Sequence, residues 1–193
     1  MLEMENILKR LKLVLEDIKI KYVIVGGIAV IHYGFARTTR DIDLIIEDNP
    51  SKFSQLISSL NTHNFDVLED QFFMGYKEKT HVSIFDKKTP MWIDLKVAQK
   101  KMELDVLNNA IKKKIFNDEL YIAPLEYVLI GKLVFMGDIN DESDSDLLSF
   151  GDVKDFLTLY YANKENIDMN LLTKKALEMR IESRMKRLLS LKF

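Results

Sequence analysis

Gly26-Gly27-Ile28-Ala29-Val30-Ile31-His32-Tyr33-Gly34-Phe35-Ala36-Arg37-Thr38-Thr39-Arg40-Asp41-Ile42-Asp43-Leu44 is the stretch on which the reading of this chain turns. Just before it, Tyr22-Val23-Ile24-Val25 is a short apolar run suited to a buried strand, and it leads straight into the two glycines. Residues 28–33 are expected as a short helix closed by Gly34, and residues 41–46 as a second strand. On that strand Asp41 and Asp43 are two positions apart, so both carboxylates point to one face and Ile42, Leu44 and Ile46 to the other, buried one. Two carboxylates about 6 Å apart repel by roughly 3 kcal/mol at an effective dielectric near 20. On an open surface water relaxes that repulsion, which is the ordinary fate of an Asp-x-Asp pair. At the mouth of a cleft a cation relieves it, and hard oxygen ligands select Mg²⁺ or Mn²⁺.

Working outward, Trp92-Ile93-Asp94-Leu95 places one acid inside an otherwise apolar strand, where Asp is poorly suited. If that strand lies beside residues 41–46, Asp94 completes a three-carboxylate cluster; otherwise it ends the strand or caps a turn. Gly26-Gly27, after a buried strand and before a helix, lets backbone approach an anion closely. The pair is neither a Rossmann fingerprint nor a Walker loop. Arg37 and Arg40, either side of Thr38-Thr39, could hold phosphate oxygens or stand solvated in a loop. Together a glycine cradle, basic residues and clustered acids suit a nucleoside triphosphate (NTP) bound through its phosphates and a metal.

The rest of the chain frames this region. Leu8, Leu11, Val14, Leu15 and Ile18 recur at helical spacing. Asp48-Asn49-Pro50 opens a helix carrying Phe53, Leu56, Ile57 and Leu60. Residues 81–85 and 91–97 are expected as a strand hairpin, 102–110 as a helix, and 115–122 to hold a strand or strand pair. Helices follow at 124–134, 152–161 and, as one long element, 168–191. The acidic stretch 138–146 is expected as a loop. Mixed strands and helices first, helices only afterwards, define an α/β (α+β) fold, a mixed sheet flanked by helices at residues 1–122 and a helical extension at 123–193.

Composition excludes several classes. The chain of 193 residues has no cysteine, so thiolate metal sites and a cysteine nucleophile are ruled out. Its apolar runs, such as 22–25 and 128–130, fall far short of the roughly 18–20 residues that cross a bilayer, so no membrane partner is expected. Met1-Leu2-Glu3-Met4-Glu5 lacks the basic start of a signal peptide, and a cytoplasmic location is the expectation. Net charge is only −2, but Lys174, Lys175, Arg180, Arg184, Lys186, Arg187 and Lys192 cluster near the end. That helix is either an RNA-binding face or a solvated one, since Glu178 and Glu182 interrupt it. His32, His63 and His81 show no zinc spacing and are expected as structural or surface residues. Trp92 is either core or a base-stacking residue.

Gly-Gly, a short helix, then Arg37-x-Thr39-x-Asp41-x-Asp43-Leu44 resembles the signature of the nucleotidyltransferase superfamily related to DNA polymerase β. The pattern looks most like the AbiEii/MenA-type branch, whose members include toxins of toxin–antitoxin pairs. Asp94 matches that branch's later strand acid, Lys132 its helical lysine, and Asp152-Val153-Lys154-Asp155 its Asp-x-x-Asp. The resemblance implies that Asp41, Asp43 and Asp94 hold Mg²⁺ (or Mn²⁺), with Asp94 on the acceptor side. It implies Gly26, Gly27, Arg37 and Thr39 around the phosphates, and Lys132 stabilising charge on the nucleotide. It assigns no separate roles to Asp152 and Asp155. The implied reaction moves NMP from an NTP to an acceptor such as a tRNA or a protein, with a cognate antitoxin as partner. Two other readings stand beside it: an aminoglycoside or lincosamide nucleotidyltransferase, and an inactive NTP-binding or antitoxin-type protein.

Overall fold

Apolar residues alternating with polar ones build the centre of a seven-stranded mixed sheet in the computed structural model, which describes residues 2–139 and 141–191. The strands are β1 Tyr22–Ile24, β2 Asp41–Ile46, β3 Phe65–Asp66, β4 Val82–Asp86, β5 Trp92–Val97, β6 Ile111–Ile115 and β7 Asp118–Ile122, in the order β3-β4-β5-β2-β1-β7-β6. β2 runs parallel to β5 and antiparallel to β1, while β1 runs parallel to β7. Ile42, Leu44 and Ile46 of β2 and Ile93, Leu95 and Val97 of β5 form one buried face. The helix α1 Leu2–Asp17 precedes the strands, and α2 Gly26–His32, α3 Phe53–Thr62, α4 Glu69–Glu78 and α5 Lys101–Asn108 lie between them in sequence. α3 carries the expected Phe53, Leu56, Ile57 and Leu60, all buried, and a 3₁₀ turn at Pro50–Lys52 leads into it. α5 is closed at its start by Glu103, whose Oε2 accepts from the backbone N–H groups of Gln99 and Lys100 at 3.0 and 2.8 Å.

The fold is the expected mixed sheet with helices. The chain divides into two compact units, Met1–Ile28 with Thr38–Ala123, and Ala29–Arg37 with Pro124–Phe193. The second unit is helical: the end of α2, then α6 Leu125–Phe135, α7 Asp144–Leu147, α8 Gly151–Ala162, α9 Met169–Glu178 and α10 Glu182–Leu189. Its core is Leu129 and Leu133 of α6, Val153, Phe156 and Leu157 of α8, Leu172 and Ala176 of α9, and Met185 and Leu188 of α10. Glu126 is buried and its Oε1 accepts from the backbone N–H of Asp168 at 2.8 Å, just ahead of α9.

Two local expectations are corrected. The single helix at 168–191 is two helices: Arg180 takes φ +58° and the Ile181 N–H returns to the Ala176 carbonyl at 2.9 Å. This closes α9 in the manner of a Schellman cap with Arg where Gly is usual, and Ala176, Ile181 and Leu188 can all be buried. The stretch 138–146 is not wholly loop, because Ser143 Oγ accepts from the Asp146 N–H and starts α7; Asn140, within it, lies outside the described residues. β3 and α4 were not anticipated. Gly131, inside α6, has no heavy atom within 4 Å of the place a Cβ would take. Gly131→Ala is expected to raise stability by about 0.5–1 kcal/mol, read as a higher urea midpoint at unchanged slope.

Candidate active site

The acids come together because of strand register. In the parallel β2–β5 ladder Asp43 faces Asp94 and Asp41 faces Trp92, and all four belong to the half-buried face of the sheet. Asp41, Asp43 and Asp94 each offer a carboxylate oxygen, and these atoms lie within 4.8 Å of one another. At that separation each pair of charges repels by about 3 kcal/mol at an effective dielectric near 20. Among the described residues the hydrogen bonds that Asp41 and Asp94 accept come from neutral donors. Thr39 Oγ1 donates to Asp41 Oδ1, Ser83 Oγ to Asp94 Oδ1 at 2.6 Å, and Trp92 Nε1 to Asp94 Oδ2 at 3.0 Å. These donors orient the carboxylates and leave their charge in place.

The two glycines have a tight steric reason. β1 ends beside β2, with the Val25 N–H donating to the Asp43 carbonyl at 2.9 Å, and the chain then turns into α2. Gly26 adopts φ +60°, and a Cβ built there would fall 1.7 Å from Asp43 Oδ2. A Cβ on Gly27 would fall 2.6 Å from Thr39 Oγ1. The pair read from sequence as an anion cradle is therefore also the clearance that lets Asp43 and Thr39 reach their positions.

A second cluster lies wholly in the helical unit. Asp155 on α8 is buried, and its Oδ2 accepts from Arg37 Nη1 and from Lys132 Nζ on α6, the latter at 2.7 Å. Lys132 Nζ also donates to Asp152 Oδ1 at 2.8 Å. Burial works against the Lys132 ammonium, but the hydrogen bonds and charges of Asp152 and Asp155 outweigh it and raise its pKa above the ordinary lysine value. Two cations meet two carboxylates, so the cluster is balanced.

The candidates from sequence thus fall into two groups. Asp41, Asp43, Asp94, Gly26, Gly27 and Thr39 meet in the sheet unit, and Arg37, Lys132, Asp152 and Asp155 meet in the helical unit. Ser83 and the indole N–H of Trp92 escaped sequence reading as partners of Asp94. Only the alternation of β4, with Ser83 between the apolar Val82 and Ile84, could have hinted at the first. The basic residues near the C-terminus are mostly engaged: Lys175 with Glu178, Lys186 with Glu182, Arg187 with Asp144, and Arg184 with the Leu133 carbonyl. Lys192 lies outside the described residues. His63 Nδ1 lies 2.8 Å from the Ser59 carbonyl, a structural contact. No described helix is long and apolar enough to cross a membrane.

A mixed sheet carrying three acids on adjacent strands has the fold of nucleotidyltransferase-like proteins, and solved structures bear this out. An antigenic nucleotidyltransferase-like protein from Paracoccidioides brasiliensis superposes with a TM-score of 0.52 at 16% identity, over 93% of this chain and 88% of that one. The antibiotic-resistance factor ANT(2'')-Ia gives 0.59 at 10% identity over 94% and 92% in its solution structure. Its crystal structure in complex with adenylyl-2''-tobramycin gives 0.56 at 12% over 93% and 97%. No curated protein matches the sequence significantly. The chain belongs to the family described as "Nucleotidyltransferase of unknown function (DUF6036)", whose model matches residues 3–182.

Two outcomes follow from the packing. Gly26→Ala is expected to cost at least about 1 kcal/mol through its left-handed backbone alone. It should also displace Asp43, so that Mn²⁺ binding followed by electron paramagnetic resonance falls. Asp155→Ala removes the buried carboxylate that Arg37 and Lys132 share, and is expected to cost on the order of 3 kcal/mol in chemical denaturation.

Proposed function

We propose that this protein transfers a nucleoside monophosphate from an NTP to an acceptor hydroxyl, using a divalent metal held by Asp41, Asp43 and Asp94. The observation that carries the reading is the convergence of three half-buried carboxylates, two of which accept hydrogen bonds from neutral donors alone. An oxygen-only donor set of three carboxylates this close together fits Mg²⁺ or Mn²⁺. In the reaction the acceptor oxygen bonds to the α-phosphorus, the bond from that phosphorus to the β-phosphate oxygen breaks, and pyrophosphate leaves with that electron pair. A metal held there supplies positive charge against the phosphates and makes the acceptor hydroxyl more acidic.

The chain's own residues divide the remaining work. Asp41 and Asp43 are assigned to the triphosphate side and Asp94 to the acceptor side, where it helps take the hydroxyl proton. Ser83 and Trp92 each occupy one lone pair of Asp94, which leaves one on each oxygen for metal or proton. Gly26, Gly27 and Thr39 are assigned to the phosphates. Arg37 is also assigned to them and Lys132 to charge on the nucleotide, although both already serve Asp155. The AbiEii/MenA-type resemblance favours a tRNA or protein acceptor and a toxin role with a cognate antitoxin. The fold shared with ANT(2'')-Ia, whose structure holds adenylyl-2''-tobramycin, supports a second reading in which the acceptor is an aminoglycoside.

Isothermal titration of each NTP with Mg²⁺ tests the common core. Wild type should bind at least one NTP only when the metal is present, and the Asp41→Ala/Asp43→Ala double variant should lose that binding. Absence of NTP binding by wild type under every metal condition would refute the reading. Transfer from radiolabelled NTPs to tRNA, protein or tobramycin then decides the acceptor.

A further inference from the structure

The face of the sheet that presents the acids continues beyond them. On β4, paired antiparallel to β5, Ser83 faces Asp94 and Phe85 faces Trp92. Alternation puts Ser83 and Phe85 on the half-exposed side, while Val82, Ile84 and Asp86 are buried. The Asp86 N–H donates to the Met91 carbonyl at 2.9 Å, so the next pair along, Phe85 with Trp92, is one of the narrow, non-hydrogen-bonded pairs whose side chains stand closest. Phe85 is 56% exposed, an unusual position for a phenylalanine in a strand of this sheet. Trp92 is half-buried and its ring is anchored through Nε1 to Asp94. Two aromatic residues thus occupy facing positions of the ladder, on the same side of the sheet as the acid assigned to the acceptor.

Cations flank them. Arg40 immediately precedes β2, and its carbonyl accepts from the Trp92 N–H at 3.3 Å. Lys88 lies in the turn between β4 and β5. Both are exposed, and neither side chain has an ion-pair partner among the described residues. Aromatic faces beside unpaired cations suit single-stranded nucleic acid, whose bases stack and whose phosphates need positive charge.

We propose that Phe85 and Trp92 form a stacking shelf for a nucleobase of a single-stranded nucleic-acid acceptor, with Arg40 and Lys88 meeting its phosphates. This rests on the nucleotidyl-transfer reading for its purpose, but the shelf can be tested by binding alone. A tyrosine-bearing peptide would also offer a flat ring; the two unpaired cations favour the polyanion.

Trp92 is the only tryptophan in the chain, so its fluorescence reports on the shelf directly. The probe is a six-nucleotide single-stranded oligoribonucleotide titrated with Mg²⁺ and without NTP. Saturable quenching is expected, weakening with salt, and inorganic polyphosphate should not reproduce it. Phe85→Ala should weaken the oligonucleotide about tenfold. Arg40→Ala/Lys88→Ala should flatten the salt dependence. Leu104→Ala, an exposed apolar residue on α5, should bind as wild type does. The shelf is refuted if the oligonucleotide does not quench, if polyphosphate or a tyrosyl peptide quenches equally, or if a correctly folded Phe85→Ala keeps wild-type affinity. NTP titration of the wild type separates the two claims: loss of NTP binding overturns the transfer reading, whereas NTP binding without oligonucleotide binding overturns the shelf alone.

Discussion

The in-register parallel pairing of β2 with β5 is the constraint from which the rest of the sheet unit follows. It sets Asp43 opposite Asp94 and brings Asp41 into the same group, against a repulsion of about 3 kcal/mol for each pair. A slip of one residue would relieve that repulsion, but it would also turn Ile42, Leu44 and Ile46 out of the core. Each of those side chains contributes about 1.5–3 kcal/mol when fully buried. The apolar face therefore holds the register and the polar face bears its consequence. Gly26, Gly27 and Thr39 then look like adaptations to a carboxylate position already set, since two of them lack a Cβ where Asp43 and Thr39 need room.

The helical unit treats charge in the opposite way. Asp155 is as buried as a core residue, yet Arg37 and Lys132 both hold its Oδ2, and Asp152 shares the lysine. A buried carboxylate so paired is stable where it stands and has no need of a ligand. The helical cluster has its cations built in, whereas Asp41 and Asp94 of the sheet unit accept from neutral donors. Arg37 and Lys132, read from sequence as nucleotide contacts, have Asp155 as their first partner, so any nucleotide role they have must be shared with it.

Much of this was legible in the sequence wherever a periodicity carried it. The alternation from Asp41 to Ile46 told which face each acid would take, and the same alternation in residues 92–97 marked Asp94 as the odd acid in an apolar strand. What the sequence could not tell was contact between distant segments. Nothing near Gly26 announces that Asp43 needs the space, and nothing near Ser83 announces Asp94. β3 is two residues long, too short to show a period, and in α4 the aromatic residues Phe72, Phe73 and Tyr76 crowd together while only Phe72 of the three is buried. The break at Arg180 was hidden because no glycine or proline marks it; burial on both sides of the turn makes the left-handed arginine tolerable. The basic residues of α9 and α10 looked like a surface because their partners lie up to tens of residues away, as Asp144 does for Arg187.

A shared fold at 10–16% identity leaves most of the surface free to differ, and strand alternation decides which positions differ with consequence. Along β5, moving two residues from Asp94 reaches Trp92; across to β4 it reaches Ser83, then Phe85. Those positions share the acids' face, as Ile45 and Lys96 do further along β2 and β5. A substitution there leaves the buried face of the sheet untouched, so fold stability constrains it weakly, while the environment of Asp94 changes at once. Trp92 is the exception within the group, because its indole N–H orients Asp94 while its position faces Phe85 across the ladder. Its two roles pull on one side chain, so replacing it would disturb the acid and its surroundings together, whereas Phe85 touches only the surroundings. Under the proposed transfer reaction, acceptor preference is therefore most free to change at β4, one strand removed from Asp94.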